Sequence, residues 1–127
     1  MKHINPPTLS RPTGYTHVVE VTGDRTLYIS GQVAFDREGG LVGKGDFAAQ
    51  TRQVFENLKL ALGSANAKLD DIVKITVFVT DAAHVPTFRE IRNAYFPGNV
   101  PASTLVQVVQ LVRPELMIEI EAVAVVA

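Results

Sequence analysis

The sequence predicts an α+β domain in which a mixed sheet carries two helices on one face. Three observations predict it. Two stretches repeat apolar residues at helical spacing, and short runs rich in β-branched residues lie before, between and after them. No internal repeat or linker divides the 127 residues, which make one domain with a real core. The order read along the chain is β-β-(β)-α-β-α-β-β.

Residues 1–14 hold three of the seven prolines and read as an extended arm. Residues 15–22 (YTHVVEVT) and 26–31 (TLYISG) are strand-like, and Gly23, Asp24 and Arg25 between them suit a hairpin. A polar turn with two glycines follows at 36–40, then a short segment at 41–43. Asp46 suits the N-cap of the first helix, in which Phe47, Val54, Leu58, Ala61, Leu62 and Ala65 make the apolar stripe. Arg52, Gln53, Glu56 and Lys59 take the wet side. Asn66 is placed to stop the helix, because asparagine tolerates the left-handed conformation. Residues 72–80 (IVKITVFVT) are apolar enough for a central strand.

The second helix spans about 84–96, with Val85, Phe88, Ile91, Tyr95 and Phe96 buried and Pro97–Gly98 ending it. Two last strands are expected at 104–111 and 116–126, separated by Arg113 and Pro114. In the final one Ile118, Ile120, Ala122, Ala124 and Val126 share one face of the pleat. Met117, Glu119, Glu121, Val123 and Val125 share the other. Two carboxylates on a half-apolar face suit a solvated edge and a pocket equally.

Twelve basic against thirteen acidic side chains leave a formal charge of −1 without any block of like charge. That removes the electrostatic case for nucleic acid or an anionic membrane as the main partner. There is no cysteine, so disulfide, zinc-thiolate and thiol-nucleophile chemistry are out. The N-terminus lacks an apolar segment of signal length, and no run approaches the ~20 apolar residues of a membrane span. A cytoplasmic protein is the expectation. His3, His17 and His84 lack metal-ligand spacing, Gly43–Lys44–Gly45 lacks phosphate-loop spacing, and Ser30 has neither an elbow nor an adjacent base. No metal or organic cofactor is implied.

Four segments match a known family in order and spacing: ISGQVAFD with its glycine-rich turn, AAQTRQVFENLKLAL, DDIVKITVFVTD, and VPAST followed by IEIEAVAV. The chain resembles the RidA/YjgF family of reactive-intermediate deaminases, also described as L-PSP endoribonuclease-like proteins, over residues 15–126. The resemblance implies a chorismate-mutase-like fold, assembly as a homotrimer, and a small-molecule cleft at each subunit interface. A six-strand sheet with helices on one face leaves an apolar opposite face, which a symmetric oligomer would bury.

Active members of that family hydrolyse enamine or imine products of amino-acid dehydratases to a 2-keto acid and ammonia. An arginine in a P-A-R-[ST] motif clamps the substrate carboxylate. Here the motif reads Pro101, Ala102, Ser103, Thr104, so the arginine position is Ser103. A hydroxyl cannot reproduce a bidentate guanidinium–carboxylate pair, whose loss costs ~2–5 kcal/mol. The resemblance places Tyr15 at the cleft mouth and gives Ser30 and Gly31 contacts to the ligand. It assigns Glu119 the positioning of the attacking water. Arg89 aligns with a site asparagine on the second helix, and Leu105 with a frequent cysteine.

Arg89 is a candidate to supply the cation missing at 103, for a ligand of different shape; the alternative is a surface arginine in a polar face with Glu90 and Arg92. Glu119 is either a functional acid or a strand carboxylate satisfied by its neighbours. Three functions follow: a cofactor-free hydrolase of C=N bonds, a trimer that binds a small metabolite without turnover, and an endoribonuclease. The near-neutral charge argues against the third.

Overall fold

The computed structural model describes residues 1–9, 11, 12, 14–22 and 25–127. Its centre is a four-stranded mixed sheet in the order β3-β6-β4-β5, with β3 Arg25–Gln32, β4 Ile72–Val79, β5 Ala102–Gln107 and β6 Ile118–Val126. β6 pairs antiparallel with both β3 and β4, whereas β5 runs parallel to β4. A parallel pair needs a long crossover, and α2 (Val85–Tyr95) supplies it. α1 (Phe47–Gly63) packs on the same face of the sheet. The expected class, a mixed sheet with two helices on one face, is the one observed.

Period two explains the layering. Ile118, Ile120, Ala122 and Ala124 of β6, with Ile75, Val77 and Val79 of β4, are buried beneath Val54, Phe55, Leu58, Phe88 and Ile91 of the helices. The opposite face is mixed rather than apolar: Lys74, Thr76, Glu119 and Glu121 share it with Phe78, Val106 and Tyr28, the last 82% exposed.

The N-terminal half departs from the expected strand order. β1 (Lys2–Ile4) pairs antiparallel with β2 (Val18–Glu20) as a separate two-stranded sheet, so the leading arm folds back. Among the described residues β2 does not pair with β3, and the anticipated hairpin is replaced by these two pairings. Its expected turn residues Gly23 and Asp24 lie outside the described residues. The 41–43 segment contributes one isolated bridge, Leu41 to Phe35. The sheet therefore has four strands, not six. Two short alternating runs with a turn between them satisfy the local rule for a hairpin, but β3 finds a longer apolar partner in β6.

The helix signals hold. The Asp46 side chain accepts from the Ala49 N–H at 3.0 Å and caps α1. The helix gives way after Gly63, and Asn66 takes the left-handed conformation (φ 57°) in the turn that follows. Before α2, the Asp81 side chain accepts from the Ala83 N–H. No helix among the described residues is long and apolar enough to cross a membrane.

One buried polar side chain ties the layers together. Gln50, with no exposed surface, donates to the carbonyls of Gly43 (3.1 Å) and Glu115 (3.0 Å) and accepts from the Met117 N–H (2.8 Å). It locks α1 to the entry of β6. Gln50→Leu keeps the volume but strips the Glu115 carbonyl and the Met117 N–H of their partner, each costing about 1–3 kcal/mol, while the Gly43 carbonyl keeps the Asp46 N–H (2.9 Å). Urea denaturation should show a loss of at least about 2 kcal/mol.

Candidate functional site

The six residues singled out in the sequence fall into two groups, one on each face of the sheet. The register of β5 against β4 places Ser103 opposite Ile75 and Leu105 opposite Val77, on the helix side. There a cavity of about 350 Å³ forms between β5, α2 and the segment leading to β2. Its polar lining is Tyr15, Arg89, Arg92 and Ser103, and its apolar lining is Val85, Phe88 and Leu105. Tyr15 is held there by its neighbour. The Thr16 N–H donates to the Pro101 carbonyl (3.2 Å) and its hydroxyl to the Val100 carbonyl (2.7 Å), which staples this segment to the start of β5.

Arg92 was not among the residues singled out, yet it is the most constrained of this group. Only 6% of it is exposed. Its Nε and Nη2 donate to the Asn93 side-chain oxygen at 3.3 and 3.1 Å, and its guanidinium lies 5.7 Å from the Phe88 ring centroid. Gly14 runs directly over it: with φ +80°, this residue takes a conformation that suits glycine, and a Cβ there would overlap the guanidinium. Burial, and then the like charge of Arg89, lower the Arg92 pKa from its ordinary value. The signal in the sequence was its place seven residues after Val85 and four after Phe88, inside the buried stripe.

Glu119 and Gly31 lie on the opposite face. They line a groove of about 330 Å³ with Phe78, Val108, Gln110, Leu111 and Glu121. β6 sets Glu119 opposite Phe78 of β4. On the other side, β3 passes so close that a Cβ on Gly31 would overlap the Glu119 carboxylate. Burial raises the Glu119 pKa, and Glu121 two residues on raises it further. Ser30 is exposed beside this groove, within the irregularity that interrupts the β3–β6 register after Ile29. Among the described residues no group of three or more His, Asp or Glu is arranged to hold a metal ion.

A single chain thus brings Tyr15, Arg89 and Ser103 together, and Glu119 and Gly31 together, but keeps the two sets apart. The first set offers cations and hydroxyls without a base. The second offers a carboxylate of raised proton affinity without a cation. A further depression of about 400 Å³, lined by Arg52, Glu90, Ile91, Ala94 and Tyr95, contains none of the six.

A family model described as endoribonuclease L-PSP matches residues 8–126. The 3-aminoacrylate deaminase RutC of Acinetobacter baylyi is 37% identical over 123 residues, covering 97% of each chain. A RutC family protein of Pyrococcus abyssi is 36% identical over 115 residues, covering 90% of this chain and 88% of its own. Among solved structures, YyfB from Yersinia pestis, a conserved Rid-family protein of unknown function, has a TM-score of 0.92 at 40% identity, with 98% of both chains covered. RidA from the Antarctic bacterium Psychrobacter sp. PAMC 21119 has a TM-score of 0.75 at 35% identity, with 92% of each covered. Sequence, topology and the extent of the match agree: the chain belongs to the RidA/YjgF family, the endoribonuclease L-PSP family.

Proposed function

We propose that the chain forms a homotrimer with a small-molecule cleft between neighbouring copies, and that this cleft hydrolyses a small enamine or imine acid to a carbonyl acid and ammonia. The observation that supports it is the division of the site between the two sheet faces. Each half lacks what the other holds, so a symmetric assembly that sets one copy's helix-side pocket against the next copy's Glu119 groove completes it. Similarity to a 3-aminoacrylate deaminase over nearly the whole chain points to the same chemistry.

In the hydrolytic step the oxygen of water bonds to the C=N carbon while ionised Glu119 takes its proton. The carboxyl returns that proton to the nitrogen, giving a carbinolamine. The carboxylate then takes the proton of the new hydroxyl and passes it to the nitrogen as the C–N bond breaks, so that the C=O bond forms and ammonia leaves. A carboxylate whose proton affinity is raised towards neutral pH serves both halves of this exchange. Gly31 leaves room for that carboxylate, and Tyr15, Ser30 and Ser103 present hydroxyl groups to the polar end of the substrate. Arg89 supplies positive charge near the position where Ser103 stands in place of the family arginine. That replacement also favours a second reading, a trimer that binds a small acid without turnover. Coupling an amino-acid oxidase to the purified protein decides between them. Faster imine decay than in buffer supports the hydrolase, and none despite binding of a small acid supports the binder.

Glu119→Gln should lower kcat about 10²–10⁴-fold. The acid limb of the wild-type rate profile should lie above the ordinary glutamate range, with the rate falling as pH drops through it. The stability effect has the opposite sense. The folded state holds this proton more tightly than the unfolded chain, so stability declines as pH rises between the two pKa values; the Gln variant lacks that slope.

Gly31→Ala meets only the flexible end of Glu119, so it should change stability by less than about 1 kcal/mol while reducing turnover towards the level of Glu119→Gln. Denaturation and steady-state kinetics on the same sample check both.

Light scattering should give the mass of three copies. Refolding an equal mixture of inactive Glu119→Gln and inactive Arg89→Ala chains should recover about a quarter of wild-type activity if each site draws on two copies, and none if it draws on one.

A further inference from the structure

Three regions compete for a further role: the exposed Tyr28 face of the sheet, the depression beside Arg52, and the interior of the Ser103 pocket. The last carries an unexplained charge. Of the five N–H groups of a guanidinium, two of those on Arg92 go to the neutral oxygen of Asn93. No carboxylate pairs with Arg92 among the described residues, and none lines the pocket. Arg89 stands one helical turn away on the same face of α2 and adds a second positive charge. A guanidinium that is 6% exposed and lacks a counter-charge is costly to hold, because desolvation is not repaid by an ion pair. The fold nevertheless secures it, stacking it on Phe88 and closing Gly14 over it.

We propose that Arg92 is the anchor for a ligand carboxylate in this pocket, and that Arg89 at its rim takes a second, so the site selects a small dicarboxylic acid over a monocarboxylic one. Two guanidinium groups with no acid in the lining match a dianion in charge. Val85, Phe88 and Leu105 give apolar contact to the carbon chain between its carboxylates, which inorganic phosphate lacks. The hydroxyls of Tyr15 and Ser103 are placed to donate to the same oxygens. The inference rests on the cleft reading above but needs neither turnover nor a named substrate.

Isothermal titration of the purified full chain with succinate, acetate and inorganic phosphate tests it. Succinate should bind at least about tenfold more tightly than either of the others. Arg92→Met should weaken succinate at least about thirtyfold, the lower bound for breaking a desolvated charge pair. The melting temperature of unliganded Arg92→Met should equal or exceed that of the wild type, because an uncompensated buried cation has gone. Arg92→Lys keeps the charge without the planar fork and should bind with intermediate strength. Arg89→Gln should bring succinate down to the strength of acetate. Succinate binding that survives Arg92→Met within about threefold overturns the proposal, as does phosphate binding equal to succinate. A protein that binds succinate through Arg92 but leaves imine decay unchanged loses the hydrolase reading alone. Binding of none of the three acids by the wild type overturns the anchor.

Discussion

The structure depends on the alternation of one strand. β6 lies between β3 and β4, and its even-numbered residues Ile118, Ile120, Ala122 and Ala124 are buried beneath the helices. With a side-chain period of two, Glu119 and Glu121 are then committed to the opposite face. A slip of one residue would place both carboxylates in the core and four apolar side chains outside it, so the register is strongly specified. The position of the candidate base is thus a consequence of how the core is filled. The Gln50 network adds to this, since it grips the backbone of Glu115 and Met117 just before β6 starts.

The Ser103 pocket follows from the parallel pairing of β4 with β5. That pairing requires α2 to cross over the sheet, and the crossover sets Arg89 and Arg92 above Ser103. The positive charge of the pocket is therefore carried on a helix, while the strand contributes the Ser103 hydroxyl. The two positions are not equivalent. A guanidinium rising from α2 approaches the cavity from a different side from a side chain on β5. Electrostatics in the two pockets are complementary in kind: one lowers the proton affinity of a cation by burial and like charge, the other raises that of a carboxylate by the same two causes.

Local signals in the chain were reliable where one residue or one period decides the outcome. Asp46 caps α1, Asn66 adopts the left-handed conformation, and β4 and the core face of β6 lie where the β-branched runs place them. The helix stripes were read less completely. Gln50 and Thr51 are buried in α1 although both are polar, because their hydrogen bonds are satisfied by backbone groups: Gln50 by segments distant in the chain, Thr51 by the Phe47 carbonyl one turn back. The pairing of β1 with β2, in place of a β2–β3 hairpin, was not legible either. Short strands pair by competition among partners, and that competition involves residues far apart in sequence.

Arg92 shows the same boundary from the functional side. Its spacing from Val85 and Phe88 puts it on the buried stripe, but only packing reveals that Phe88 and Gly14 enclose it while Asn93 satisfies part of it. The sequence by itself determined the class of fold, the family, the two helices, and which side of β6 carries the carboxylates, because these rest on periodicity and on motifs spaced along the chain. The tertiary structure decided that Glu119 and Ser103 lie on opposite faces of one sheet, and that a buried guanidinium stands beside residue 103. Those are facts about which distant segments meet, and no local propensity encodes them.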